Sequence, residues 1–325
     1  MRVLISIPFV GGVGGLERNV ASTIAALAED HVDVCTARRI DGGFATEPSG
    51  TVIPYRRVVP YRRIPSPLAR PLRWAHRKSL ARTEPYDAYL HYFAGRYVGD
   101  QFPIRTRLLI PSGNDVASFA SRFDCVLAQA PDNKRFIRGS VPSVVLPPPV
   151  VATAESRAPD RDLPEQFVLT VFNAYHGIKG GELMRDVASA SRFPIVWCFS
   201  RRTRHYDIAP YAHHDIVTIE DASPANLRWL YEHAAAYVSF SRTEGFGWAI
   251  ADALQYGTPV ISRRTGVLSL DGIDLRGVSV YEDRTELVRL LEEVTPADPA
   301  ARFDRDLDFL RPARFRERLH ALVTG

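Results

Sequence analysis

The sequence predicts an α/β protein with two doubly wound, parallel-sheet domains. Short apolar runs of strand length alternate with amphipathic helical segments along the 325 residues, and this alternation is typical of parallel sheets covered by helices. Three consecutive prolines at 147–149 open a polar stretch that separates two similar halves. The length also favours two domains. We therefore place a first domain at residues 1–150, a second at 151–300, and a final helix within 301–325.

The first domain begins with a strand candidate at residues 2–8, a glycine loop, and a helix at 16–29 whose apolar face comes from Val20, Ile24 and Leu27. Five further apolar runs are long enough to form strands, at residues 32–36, 88–92, 107–110, 125–128 and 143–146. A helix is expected near residues 131–137. Together these elements predict one doubly wound parallel sheet.

The second domain repeats this pattern. Its strand candidates are residues 167–172, 195–199, 216–219, 236–240, 259–262 and 278–281. Helices are expected at 181–189, 224–234 and 285–294, and helical spacing also begins at Ala249. The last helix, at about 300–323, is followed by no strand.

The composition, with 46% hydrophobic and 24% charged residues, is ordinary for a globular chain. No apolar run reaches the roughly 18 residues of a membrane span, and residues 1–8 are typical of a strand rather than a signal peptide. We therefore expect a cytoplasmic protein. Cys35, Cys125 and Cys198 are widely spaced within apolar segments, which predicts buried, reduced thiols.

The net charge of +4 is unevenly distributed. Residues 1–150 hold 20 Lys and Arg against 12 Asp and Glu, whereas residues 151–325 hold 21 against 25. Nine of the basic residues lie within 55–83, which contains no acidic residue and whose rear part predicts a short amphipathic helix. Such a segment suits an anionic membrane surface or a phosphorylated acceptor. A solvated basic face is the plainer alternative, and nucleic acid is a third, but no nucleic-acid motif accompanies the charge.

The most informative segment runs from residue 236 to 260. A strand candidate leads into two glycines, Gly245 and Gly247, and helical spacing resumes directly afterwards. Glycines let backbone amides approach a ligand closely, and the start of the new helix attracts an anion. Glu244 and Asp252 can accept hydrogen bonds from sugar hydroxyls beside that anion. The pattern favours a sugar joined to a phosphate as the ligand, and a buried turn with a satisfied carboxylate is the alternative.

This segment resembles the signature of retaining glycosyltransferases of family 4, in which S-x-x-E-G-F-G precedes E-A-x-x-x-G-T-P-V. Glu244 matches the first Glu, Gly245, Phe246 and Gly247 match the loop, and Asp252 stands where the second Glu is expected. The resemblance implies the GT-B fold, with two Rossmann-like domains facing a cleft and a C-terminal helix crossing back to the first domain.

The resemblance also implies an activity: retaining transfer of a hexosyl group from a nucleotide diphosphate sugar to an acceptor hydroxyl of a glycan, glycolipid or natural product. It gives Glu244 a catalytic role at the donor sugar, assigns the loop glycines and Phe246 to donor binding, and assigns Asp252 to the ribose. It implies no cofactor, no metal and no separate nucleophilic carboxylate.

A second match lies in the first domain. Gly14, Gly15 and Glu17 fit the G-G-x-E-R opening of the family, whose loop lies against the donor diphosphate and the acceptor. The resemblance therefore assigns the two glycines to donor binding and Glu17 to the acceptor. A dinucleotide-binding loop of an oxidoreductase is the alternative, but Glu17 occupies the place of its third glycine.

The donor diphosphate also needs cations. Lys179 and the glycine after it resemble the end of the family phrase R-x-x-x-x-K-G, which makes Lys179 a catalytic and diphosphate-binding residue. The Arg of that phrase is missing, because Asn173 or Ala174 occupies its place. Arg201 and Arg202 follow the next strand and are candidates for the second charge, with a solvated turn as the alternative. The missing Arg also leaves open a non-catalytic subunit that binds sugar nucleotides.

In the first domain, His91 ends a strand in a pattern that resembles the family's D-x-x-x-H, which faces the cleft and makes this His a catalytic candidate. A core histidine bonded to the backbone is the alternative. Asn114 and Asp115 follow the next strand and are candidates for contacts with the acceptor. His213 and His214 lie beside Asp215, but their spacing does not predict a metal site.

Overall fold

The computed structural model describes residues 1–12, 15–43, 47–55, 80, 83–92, 97–111, 120–137, 140–173, 177–201 and 207–325. Two compact units divide the chain: Met1–Pro149 together with Phe309–Gly325, and Val150–Asp308. Each unit is built on one sheet, and the strands that pair within each sheet are parallel.

The first unit contains a seven-stranded sheet. Its strands are β1 (Arg2–Gly12), β2 (His31–Gly43), β3 (Val52–Pro54), β4 (Tyr86–Tyr92), β5 (Ile104–Ile110), β6 (Cys125–Ala128) and β7 (Ser143–Val145). They lie in the order β3-β2-β1-β4-β5-β6-β7, so the strand order reverses between β1 and β4. Ligands of open α/β sheets bind at the carboxyl ends of the strands beside such a reversal.

Helix α1 (Gly15–Ala26) follows β1 and packs on the sheet through Val20 and Ile24. The strand β3 was not predicted, because it has only three half-buried residues. The helix expected near residues 131–137 is a 3-10 helix at Pro131–Phe136, with the Asn133 side chain accepting the Ala130 N–H at 3.2 Å.

The second unit contains a six-stranded sheet in the order β10-β9-β8-β11-β12-β13, with the same kind of reversal between β8 and β11. Its strands are β8 (Val168–Val171), β9 (Ile195–Phe199), β10 (Ile216–Glu220), β11 (Ala236–Val238), β12 (Val260–Ser262) and β13 (Val278–Val280). The α-helices are α2 (Gly181–Val187), α3 (Pro224–His233), α4 (Trp248–Gln255) and α5 (Arg284–Glu292). The predicted α/β class with two doubly wound parallel sheets is confirmed.

The last helix, α6 (Pro312–Thr324), packs on α1 in the first unit, with Phe315 and Leu319 in the core around Ile24. The prediction that this helix begins near residue 300 was wrong. The buried side chain of Arg305 donates to the carbonyl oxygens of Leu254 and Thr258, both at 3.1 Å. These side-chain bonds tie the stretch before Phe309 to the second unit, and the α-helix begins only at Pro312.

None of the three cysteines forms a disulfide. Cys35 and Cys198 are buried as expected, whereas Cys125 is half-buried. Burial raises the pKa of the Cys198 thiol to about 12. Within the described residues, no helix is both long enough and apolar enough to cross a bilayer.

Candidate functional site

The loop between β11 and α4 carries Glu244 at the carboxyl edge of the second sheet. Gly247 caps α4 in the left-handed conformation, with φ of 82°, which a glycine adopts without strain. A β carbon on Gly245 would meet no heavy atom within 4 Å, so this side of the loop is open. Phe246, between the two glycines, is buried. Burial therefore fixes Phe246 in the loop, whereas the side of the loop at Gly245 is open beside the start of α4.

Lys179 lies directly against Glu244. Its Nζ is 2.7 Å from both carboxylate oxygens of Glu244. The side chains are only 25% and 13% exposed, respectively, so water screens this ion pair less than a surface pair. The two residues that the sequence assigned to diphosphate and sugar thus lie together at the ends of neighbouring strands.

Close backbone packing holds Lys179 in this position. Gly180 has φ of 74°, and a β carbon there would lie 2.2 Å from the carbonyl oxygen of Phe240. The Arg242 N–H donates to the Ile178 carbonyl oxygen at 2.9 Å. The turn that carries the lysine is therefore fastened to the loop that carries the glutamate.

A third loop, after β12, supports Glu244 from the other side. The Thr265 hydroxyl accepts the backbone N–H of Glu244 at 3.0 Å, and the Val267 N–H donates to the Phe246 carbonyl oxygen at 2.7 Å. A β carbon on Gly266 would lie 2.4 Å from that same carbonyl oxygen. Sequence reasoning missed Thr265 and Gly266; their place directly after a buried strand was the available signal.

Asp252 lies on α4 and is 6% exposed. Burial raises the pKa of Tyr237, on β11, well above its usual range, and the carboxylates of Glu244 and Asp252 add to this effect. Both carboxylates therefore contribute to the raised pKa of the same buried side chain, Tyr237.

Asn173 is one of the two residues, with Ala174, that can stand where the resemblance expects an arginine, and it connects two strand ends. Its Oδ1 accepts the Ser200 N–H at 2.8 Å, just beyond β9. Arg201 lies 3.8 Å from the Glu220 carboxylate and over the Phe199 ring at 5.6 Å. Arg202 lies outside the described residues. The structure thus brings Lys179 and Glu244 together, whereas the guanidinium of Arg201 is paired with a carboxylate of its own.

In the first unit, His91 is fully buried near the carboxyl end of β4. Its ring stacks on Phe123 at 5.5 Å, and its Nδ1 is 3.0 Å from the Tyr89 hydroxyl. Burial lowers the pKa of His91 to about 4, so its imidazole is neutral at neutral pH.

The other predicted residues of this unit are only partly described. Gly15 begins α1, and Glu17 lies buried in its first turn, where desolvation raises the pKa of the carboxyl. Gly14, Asn114 and Asp115 lie outside the described residues.

His213, His214 and Asp215 lie just before β10, at the amino end of that strand. Their potential ligand atoms are within 4.8 Å of one another. The Asp215 N–H donates to Nδ1 of His213 at 3.2 Å, and the Ser189 hydroxyl donates to the Asp215 carboxylate at 3.2 Å. These hydrogen bonds engage Nδ1 of His213 and one carboxylate oxygen of Asp215.

No protein-family model and no curated protein matches the sequence. Solved structures do match, over nearly the whole chain. A glycosyltransferase involved in avilamycin A biosynthesis, AviGT4, is similar with a TM-score of 0.65 and 15% identity, covering 99% of this chain and 96% of its own. WaaG, a glycosyltransferase involved in lipopolysaccharide biosynthesis, has a TM-score of 0.62 and 11% identity, with both chains covered completely.

HepE of Anabaena, solved in complex with UDP and glucose, has a TM-score of 0.58 and 15% identity, covering 100% of this chain and 95% of its own. At these identities the likeness shows the fold alone. The chain has the GT-B fold, as the resemblance implied.

Proposed function

We propose that this chain is a retaining glycosyltransferase that moves a hexosyl group from a nucleotide diphosphate sugar to an acceptor hydroxyl. The observation that carries the proposal is the pairing of Lys179 with Glu244 at the carboxyl edge of the second sheet, beside the start of α4. One group suits an anion and the other suits hydroxyls. A HepE structure that contains UDP and glucose supports this choice of ligand.

In this proposal the Lys179 ammonium and the first-turn amides of α4 bind the donor diphosphate and stabilise the charge that grows on it as the bond to the sugar breaks. Glu244 accepts hydrogen bonds from the donor sugar, and Asp252 accepts them from the ribose. A donor phosphate oxygen receives the acceptor proton on the same face as the departing group. The protein therefore acts by positioning and by charge, without a nucleophilic carboxylate or a metal.

The acceptor belongs to the first domain in this proposal. Glu17, Asn114 and Asp115 contact acceptor hydroxyls. His91 is neutral and fully buried, so it can act on the acceptor only as a hydrogen-bond partner, and only after its ring becomes accessible. Arg201 and Arg202 are the candidates for a second cation at the diphosphate, Arg201 provided that it leaves Glu220. The basic residues of 55–83 suit an anionic or lipid-linked acceptor at the inner face of a membrane.

A non-catalytic subunit that binds sugar nucleotides is the second candidate. It is favoured by Asn173, whose side chain connects two strand ends where the resemblance expects a cation. Such a subunit would bind the donor and neither hydrolyse nor transfer it. An oxidoreductase is the third alternative, and it requires a bound nicotinamide or flavin that an absorbance scan would detect.

The test combines binding with turnover. A thermal-shift panel of UDP-, GDP-, ADP- and dTDP-sugars should include one ligand that stabilises the chain by about 2.7 kcal/mol at a hundred times its dissociation constant. That donor should be hydrolysed slowly, and Glu244→Ala should lower kcat on the order of a hundredfold. Glu182→Ala, an exposed carboxylate on the neighbouring α2, is the matched control and should leave kcat unchanged.

The outcomes separate the candidates. Binding without any donor hydrolysis supports the non-catalytic subunit. Binding of no sugar nucleotide contradicts both proposals, and a product with the opposite anomeric configuration in NMR contradicts retention.

A further inference from the structure

The two groups that the proposed function assigns to different parts of the donor are bonded to each other. Lys179 Nζ is 2.7 Å from each carboxylate oxygen of Glu244. A donor that engages both groups therefore competes with this ion pair for the ammonium and for the carboxylate. The ligand that competes best is one that offers a partner to both groups.

Backbone contacts hold both residues of this pair in place. The backbone of Gly180, next to Lys179, packs closely against the Phe240 carbonyl oxygen, and the Glu244 N–H donates to the Thr265 hydroxyl. The side chains are 25% and 13% exposed, so the attraction between them is screened less than that of a surface ion pair. The pair is thus a fixed feature of the site that any ligand must compete with.

A nucleoside diphosphate and an intact nucleotide sugar compete with it differently. Both offer phosphate oxygens to Lys179. Only the nucleotide sugar also offers hydroxyl donors to Glu244, because a nucleoside diphosphate has no hexose there. With the diphosphate alone, the Glu244 carboxylate shares its cation with the phosphates, receives no hydroxyl donor from the ligand and faces further negative charge at short range.

We propose that the Lys179–Glu244 ion pair makes the site select the intact nucleotide sugar over the nucleoside diphosphate, and that the pair re-forms as the diphosphate product leaves. This inference rests on the proposed function. It adds a role for Glu244 as a competitor for Lys179, separate from its contact with the sugar.

The test is the affinity of Glu244→Gln for two matched ligands. Gln has the shape of Glu without its charge, so Lys179 is released to the phosphates. We expect this variant to bind the nucleoside diphosphate about tenfold more tightly than the wild type and the nucleotide sugar less tightly. Isothermal titration calorimetry measures both affinities, with the pair of ligands that the wild type binds. The pairs are UDP and UDP-glucose, GDP and GDP-mannose, ADP and ADP-glucose, or dTDP and dTDP-glucose.

Two controls assign the effect to the ion pair. Glu182→Gln removes one exposed negative charge from α2, next to the turn that carries Lys179, and should leave both affinities unchanged. In a Lys179→Met background, Glu244→Gln should no longer tighten binding of the nucleoside diphosphate. Circular dichroism and thermal unfolding verify that each variant is folded.

Unchanged or weaker binding of the nucleoside diphosphate by Glu244→Gln overturns the inference while leaving the proposed function intact. Equal tightening by Glu182→Gln, or tightening that persists without Lys179, also overturns it. A wild-type chain that binds no nucleotide at all contradicts the proposed function and, with it, this inference.

Discussion

Gly180 is the residue whose backbone sets the position of the Lys179 ammonium. It has φ of 74°, and a β carbon there would lie 2.2 Å from the Phe240 carbonyl oxygen. Gly180→Ala therefore combines left-handed strain with a clash against backbone, and we expect it to lower the free energy of unfolding by about 2 kcal/mol or more. Gly245→Ala, where a β carbon meets nothing within 4 Å, is the control. Urea denaturation of both variants tests this prediction; equal stabilities would contradict it.

Thr265 positions Glu244 through the hydrogen bond that its hydroxyl accepts from the Glu244 N–H. Thr265→Val keeps the shape of the side chain but removes the acceptor of that N–H, which should lower the free energy of unfolding by about 1–3 kcal/mol. We expect kcat for donor hydrolysis to fall while the affinity for the nucleoside diphosphate changes little, and Thr265→Ser to restore kcat. A loss that serine does not rescue would show that Thr265 serves packing alone.

Lys179→Ala tests the phosphate assignment itself. A charge-assisted hydrogen bond contributes about 1.5–3 kcal/mol, so the variant should bind the nucleoside diphosphate roughly 10- to 150-fold more weakly and the free nucleoside unchanged. Arg201→Ala should show the same selectivity if Arg201 supplies the second cation. Equal weakening of nucleoside and nucleoside diphosphate would contradict the assignment.

At the scale of residues, the sequence could predict those site residues that lie in a recognisable local pattern. Lys179 and Glu244 each lie between a strand and the α-helix that follows it, and both come to one edge of the sheet because its described strands are parallel. Their direct contact, and the support from Thr265, depend on how three loops pack, which spacing along the chain does not encode. For the same reason, nothing in the sequence distinguished Asn173 as a connector of β8 and β9.

At the scale of elements, the buried carboxylate of Asp30 binds α6 through Arg316 and His320. Asp30 accepts hydrogen bonds from Arg316 at 2.8 Å, from the Met1 amino group at 2.8 Å and from His320 at 3.1 Å. Burial alone would raise the pKa of Asp30, but these three partners outweigh it and lower the pKa to about 2. The carboxylate therefore stabilises the folded state as long as it is ionised.

Because the folded-state pKa of Asp30 is depressed, its contribution is complete above about pH 4, the pKa of an unfolded Asp, and is lost as the pH falls towards about 2. Asp30→Asn should lower the free energy of unfolding by about 2 kcal/mol at pH 7 and by little at pH 2. Glu29→Gln is the control, since Glu29 contacts the same Arg316 but is 77% exposed. Urea denaturation at both pH values decides; an equal loss at both would contradict the ion-pair account.

Strands were predicted better than helix ends, for a physical reason. A parallel strand covered on both faces is a continuous apolar run, so β6 and β9 have the predicted bounds. The short edge strand β3 lacks that signal. The start of α6 was missed because Arg305 turns inward to donate to carbonyl groups of the second unit, and a charged side chain in a sequence normally indicates a surface.

At the scale of the whole molecule, charge distinguishes the two halves of the chain. Residues 1–150 carry eight more basic than acidic residues, and residues 151–325 carry four more acidic than basic. Nine basic residues lie within 55–83, most of it outside the described residues. An anionic acceptor should therefore meet the first domain.

Liposome flotation tests that idea in its membrane form. The chain should float with vesicles that contain anionic lipid, and binding should fall as salt rises beyond roughly 0.1–0.2 M, because the screening length then drops below about 10 Å. Substituting Arg70, Arg73 and Arg77 together by Gln should abolish flotation without changing donor hydrolysis. The matched control replaces three arginines on α2 and α5 of the second unit, Arg185, Arg284 and Arg289, which changes the net charge equally and should leave flotation intact. The membrane idea is wrong if the wild type fails to bind anionic vesicles at low salt, or if both triple variants lose binding alike. A soluble glycan or natural product then becomes the better candidate for the acceptor, since neither requires a basic surface.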